Sequence, residues 1–321
     1  MSEHITHTVV QDDCVRLALQ SPAICEAFKL CLTRHADIAR LGAVTRSGDK
    51  FTVRLLREAR ERWATRKDGD LVEEKLAFVL GWRCHLAADR QFKPIYRQLD
   101  PAHFANGGGG EADGPSDVSV LHDVIVFREI YGSGSEEPFS LASLDYQLES
   151  HPAASSVNVS RAEDLLQAMW QRSLLGLQAF VEKEANFDTW QKLFFARLEP
   201  FEVDVDRYAR AYHHTSPDQM RRYIVDNHFY HAADPLIALA RSIQRGKPDR
   251  SINLDEAVKA SATQSQYAQA LRRGYLYLVA ANEFFEGRID EATLKSRSDL
   301  GKPHVPSAMQ PTAKQPARSA Q

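Results

Sequence analysis

The sequence has no run approaching the roughly 18 uninterrupted apolar residues that a membrane-spanning helix requires, so an integral membrane protein is not expected. It has no excess of charge of one sign. Forty basic against 43 acidic side chains leave a formal net charge of -3, which sets aside a strongly cationic nucleic-acid binder. Cysteine is scarce. Cys14, Cys25, Cys31 and Cys84 form no C-x-x-C pair, which excludes a zinc ribbon and reads as buried, reduced thiols. No basic segment precedes an apolar stretch after Met1, so a secretory signal is not expected and the localisation it implies is cytoplasmic. Two-residue alternation of apolar and polar side chains is nearly absent, and with it the signature of strands. A G-x-S-x-G nucleophile elbow is also lacking.

What is present is helical spacing. Apolar residues 43% and charged residues 26% are ordinary for a globular chain with room for a sizeable core. Val9, Val10, Cys14 and Leu17 recur at helical intervals between Ile5 and Leu19, and Ser21-Pro22 separates a second helix carrying Ile24, Phe28, Cys31 and Leu32. His35 to Phe51, with Gly42, Gly48 and Asp49, reads as a loop with at most one helical turn. Helical spacing resumes over Phe51–Trp63 and is most apolar over Leu71–Ala88. Gly107-Gly108-Gly109-Gly110 opens a flexible loop, and without a following Lys-Ser or Lys-Thr it is no phosphate cradle. Further helices are expected at Leu121–Tyr131, Arg161–Glu184, Thr189–Ala196, Val203–Tyr212, Asp218–His228, Pro235–Gln244 and Leu254–Glu286.

The fold class expected is therefore all-α, a multi-helix bundle. Residues 1–135 would carry the chemistry, 136–290 would complete or extend the bundle, and the proline-punctuated 291–321 would form a disordered tail.

The chemistry-bearing residues concentrate early. In Gly81-Trp82-Arg83-Cys84-His85-Leu86-Ala87-Ala88-Asp89, His85 and Asp89 are four apart and share a helix face with core-directed Phe78 and Trp82. Such a buried pair needs partners. A divalent ion is one, since imidazole nitrogen and carboxylate oxygen are its usual ligands, and a plain His–Asp hydrogen bond is the alternative. His4 and His7 lie three apart at the start of the first helix. His122 and Glu129 share a face two turns apart, and Asp49 sits in a loop able to deliver a carboxylate between helices. His213-His214 and His228…His231, near Asp226 and Asp234, lie in polar surroundings that explain them without a metal.

The order Thr6-His7, Gly42-Ala43 with Gly48-Asp49, Gly81…His85…Asp89, Lys93-Pro94, and His122 with Glu129 resembles the zinc-dependent phospholipase C / P1 nuclease-like all-α proteins over roughly residues 4–131. The resemblance implies a phospholipase C/P1 nuclease-type bundle and a site of one or two zinc ions held by His7, Asp49, His85, Asp89 and His122, with His4 and Glu129 as further ligands. It implies a metal-dependent hydrolase of a small-molecule or lipid phosphoester. Asp89 would bridge, Asp49 would orient or deprotonate water, and Lys93 and Arg46 would contact the substrate phosphate. The alternative is a non-catalytic helical binding or assembly protein keeping a degenerate metal site. A phosphohydrolase of the HD type, built on the adjacent pair His122-Asp123, ranks behind both.

Overall fold

A computed structural model of the protein describes residues 4–45, 48–67, 69–105, 116–131, 207–208, 210–211 and 215–300, and among these every regular element is a helix. The all-α class is what the hydrophobic spacing predicts. The long helices are α1 (His4–Gln20), α2 (Glu26–Arg34), α3 (Ala36–Val44), α4 (Thr52–Arg62), α5 (Val72–Leu99), α6 (Pro101–Ala105) and α7 (Asp117–Tyr131). After the undescribed stretch come α8 (Pro235–Gln244), α9 (Leu254–Ala260), α10 (Gln266–Phe285) and α11 (Glu291–Arg297).

Helix α1 is the axis of the bundle. Residues 5–14 are buried on every face, and α3, α5, α7, α8 and α10 all pack against it. A helix enclosed on all sides must satisfy its polar side chains internally, and each neighbour supplies a partner. Arg40 of α3 forks onto Asp12 at 3.0 and 2.9 Å. Asp13, wholly buried, takes Arg16, Arg241 of α8 and the Tyr267 hydroxyl of α10. Val9, Val10, Cys14 and Leu17 join a single apolar core with side chains from helices on both sides of the undescribed stretch.

Helix α5 runs eleven residues beyond the expected end at Ala88, passing through Pro94. Its buried side chains continue through Phe92, Ile95 and Tyr96, so tertiary packing holds the turn that Pro94 would weaken. Residues 36–44, expected to be mostly loop, form α3, because Ala39, Gly42, Ala43 and Val44 bury against α5. The two helices meet backbone to backbone. A Cβ on Gly42 would stand 2.1 Å from the Phe78 carbonyl oxygen, and one on Gly81 1.7 Å from that of Ala39. Only glycine permits this crossing.

Three other boundaries differ from the sequence expectation. The expected helix over Leu254–Glu286 is two, because the Ser265 side chain caps a new start at the Ala268 amide. The expected Asp218–His228 helix is a short turn followed by a π-helical turn, Met220–Val225. Residues 291–297, expected to belong to the tail, are helical. Asp290 accepts from the Thr293 amide at 2.7 Å and Leu294 is fully buried, so α11 docks on the bundle. The expected helices Arg161–Glu184 and Thr189–Ala196, the glycine run 107–110, His213-His214 and residues 301–321 lie outside the described residues.

Candidate metal centre

Two helices and one carbonyl build a cluster at the bundle's centre. His7 comes from the first turns of α1, and His85 and Asp89 from successive turns of α5. All three are buried, and one ligand atom from each lies within 4.8 Å of the other two. His7 Nε2 is 3.2 Å from Asp89 Oδ1, and His85 Nε2 is 3.3 Å from Asp89 Oδ2. The two imidazoles stack with centroids 4.5 Å apart. A tetrahedral ion with ligands at about 2.1 Å separates them from one another by about 3.4 Å. The donor set, with its ligand atoms no more than 4.8 Å apart, could hold a single divalent ion.

The glycine crossing explains how His85 is aimed. It carries the last turn of α3 against α5 and places the Ala43 carbonyl oxygen 2.8 Å from His85 Nδ1. A carbonyl only accepts, so Nδ1 carries the proton and donates it. This carbonyl is one of those a helix C-terminus leaves without an intrahelical partner. In the neutral tautomer that this bond selects, Nε2 presents a lone pair, and it faces a carboxylate oxygen. Two lone pairs at 3.3 Å repel unless a proton or a cation stands between them. A backbone carbonyl fixing one ring nitrogen so that the other faces the ligand is the usual support of a metal-bound histidine.

The charge around Asp89 is lopsided. Burial opposes its ionisation, yet the Lys93 ammonium, His85 and His7 together hold its carboxyl well below the ordinary carboxylate range. Lys93, one turn on along α5, pairs with Oδ2. The sequence reading places Lys93 on a substrate phosphate; here its partner is the carboxylate of the cluster.

The remaining expected site residues fall elsewhere. Asp49 is exposed on the short 3-10 turn Gly48–Lys50 and is not part of the cluster. His122 is fully buried, but Nε2–H donates to the Tyr223 carbonyl at 3.0 Å and the ring stacks on Phe229 at 3.6 Å. Burial drives its pKa down to about 3. Its neighbour Asp123 accepts from the Ile5 and Thr6 amides at 3.2 and 2.7 Å, from Thr6 Oγ1 and from the Tyr208 hydroxyl. It thus closes the N-terminus of α1, where amides lack intrahelical partners and the dipole favours a negative charge. His122 and Asp123 belong to the packing and the cap, which removes the basis for a site of the HD type. Glu129 is exposed. Arg46 and the side chain of His4 lie outside the described residues. His231 pairs with Asp234 at 3.2 Å, and Asp234 also takes the Ser265 amide, which is a tie between two helix starts.

Sequence reasoning missed three features. The Ala43 carbonyl has no side-chain signal, although Gly42 and Gly81 mark the approach that delivers it. Asp123 reads as half of a His-Asp pair and not as a cap. Arg83, wholly buried, finds no acceptor for Nε, Nη1 or Nη2, and burial lowers its pKa to about 10. A cleft of about 240 Å³ lined by Asp117, Leu121, Arg207, Arg210 and Gln219 shares no residue with the cluster. Among the described residues no helix is long and apolar enough to cross a membrane. Comparison with protein-family models, with curated proteins and with solved structures finds no match for this chain.

Proposed function

We propose that the protein is a metal-dependent hydrolase of a phosphoester whose single divalent ion, zinc by the chemistry of its donors, is held by His7, His85 and Asp89. The observation that carries this reading is the aim of His85. Its Nδ1 proton is committed to the Ala43 carbonyl, and its Nε2 is turned on the same carboxylate that His7 Nε2 faces. The order of these three residues along the chain is also that of the zinc-dependent phospholipase C / P1 nuclease-like proteins, which supports the reaction class.

Two nitrogens and one carboxylate suit zinc, and three protein ligands are the number found where one position stays open for chemistry. An ion at such a site supplies Lewis acidity toward water and toward the phosphoryl oxygens of an ester. The chain's own contributions are definite. The Ala43 carbonyl holds the His85 tautomer, and the α3–α5 crossing fixes the ring. The Asp123 cap sets the start of α1, one residue before His7. Lys93, about one-third exposed, places a cation at the rim of the cluster.

Purified protein should contain about one equivalent of zinc and hydrolyse bis(p-nitrophenyl) phosphate in a zinc- or manganese-dependent way. His85→Ala and Asp89→Ala should abolish both. Protein that stays metal-free in excess zinc would refute the site. The second reading is a binding or assembly protein with a reduced metal site. The exposed position of Asp49 favours it, since among the described residues no further carboxylate joins the three ligands. It predicts stoichiometric metal with no turnover.

A further inference from the structure

Asp89 already has a cation. The Lys93 ammonium pairs with Oδ2, the same oxygen that lies 3.3 Å from His85 Nε2. The two residues are one helical turn apart on α5, so the contact follows from their spacing. Asp89 is nearly buried while the Lys93 side chain is about one-third exposed, so the lysine reaches in from the solvent side with its stem along the rim.

We infer that Lys93 is a tethered cation that holds the metal's place on Asp89 and is displaced when a divalent ion binds. The inference rests on the metal site proposed above. A buried carboxylate requires a positive partner, and in the metal-free protein Lys93 pairs with it. A divalent ion among His7, His85 and Asp89 would lie within about 4 Å of an ammonium still paired with Oδ2, at ligand distances near 2.1 Å. One carboxylate, two neutral rings and a divalent ion already carry a net single positive charge. Retaining Lys93 would double it inside a buried site, where like charges repel strongly. The two imidazoles cannot yield, because both are buried and His85 is anchored to Ala43. Lys93 can, because its chain is long and reaches solvent. The lysine thereby keeps the empty site folded, lowers its metal affinity, and confines it to one ion.

Full-length wild type, Lys93→Met, Lys93→Arg and His85→Ala would be titrated with Co2+, read by visible absorption, and with Zn2+ by calorimetry. Lys93→Met should bind one equivalent at least about tenfold more tightly than wild type, the factor expected when one nearby positive charge is removed. Lys93→Arg should stay close to wild type. Metal-free Lys93→Met should melt below wild type, and metal should raise its melting temperature by more than it raises that of wild type. A residue that served only packing would not tighten metal binding when removed. If wild type binds metal and Lys93→Met binds equally or more weakly, this inference fails and the metal site stands. If wild type binds no more metal than His85→Ala, the site and the inference fail together. Should Lys93→Met not fold, Lys93→Gln carries the same expectation.

Discussion

The His7–His85–Asp89 cluster and the His122–Asp123 pair are both buried assemblies of imidazole and carboxylate, and both touch the first turns of α1. They differ in where their hydrogen bonds go. Around His122 and Asp123 a donor meets each acceptor that is engaged: a ring N–H meets the Tyr223 carbonyl, and backbone amides with two hydroxyls meet the carboxylate. Around Asp89 the backbone fixes one edge of His85 and leaves its other edge facing an oxygen. The first is tied into helix cap and packing, with His122 Nδ1 left without a partner among the described residues; the second gathers two imidazoles and one ammonium on a single carboxylate. Residue type alone does not distinguish a ligand from a structural residue. The direction of the remaining lone pairs does.

That contrast can be broken most directly through metal affinity. His85→Ala should weaken zinc binding by at least about 100-fold, beyond what the loss of an outer partner costs. His122→Ala should leave affinity unchanged while lowering stability by about 2–4 kcal/mol, the range for emptying a large buried site. Parallel calorimetry and denaturant melts separate the two, and weakened zinc binding in His122→Ala would erase the distinction.

A smaller effect should appear in the pH dependence of stability. His122 titrates near 3 when folded because burial disfavours its charged form, against an ordinary value near 6.5. The unfolded chain therefore binds the extra proton first, and this group's stabilising contribution is lost as pH falls from about 6.5 toward 3. Asp123 works the other way. Burial outweighs its hydrogen bonds and raises it to about 6, so the folded chain binds that proton first and the contribution is lost as pH rises from about 4 through 6. Relative to wild type, His122→Asn should gain stability between pH 7 and 4. Asp123→Asn should lose it, each by on the order of a few kcal/mol. Urea unfolding across that range reads the slopes, and parallel curves for both variants would contradict the assignment.

The smallest expected effect is that of the cap alone. At pH 7, Asp123→Asn should cost about 1–3 kcal/mol, because an amide accepts from fewer of the α1 donors than a carboxylate. Its zinc affinity should fall only slightly, since His7 sits one residue beyond the capped amide. A loss as large as that of His85→Ala would make Asp123 part of the metal site.

Much of the fold was legible. Helical spacing placed α1, α7 and α8 within a few residues of their ends, because a buried stripe imposes its period on the sequence, and it found α5 and α10 but not the end of the first or the start of the second. It failed at α3, whose short stretch of alanine and glycine carries little hydrophobic signal and is held by the crossing with α5. The site was legible in part. His85 and Asp89 announce themselves by a four-residue spacing that any helix turns into adjacency. His7 is reached only through the resemblance, since no local rule brings residues 7 and 89 together. Asp49 and His122 share the residue types of ligands, yet one faces solvent and the other a carbonyl.

By itself the sequence determined the helices, the pairing of His85, Asp89 and Lys93 along one face, and the glycines that let two backbones touch. These follow from the 3.6-residue period and the absence of a Cβ, which are local properties. Tertiary structure alone decided which histidine joins that face, which carbonyl orients it, and which acidic residue became a helix cap. Each of these turns on the direction of a lone pair or N–H across helices distant in sequence, and no spacing along the chain encodes that direction.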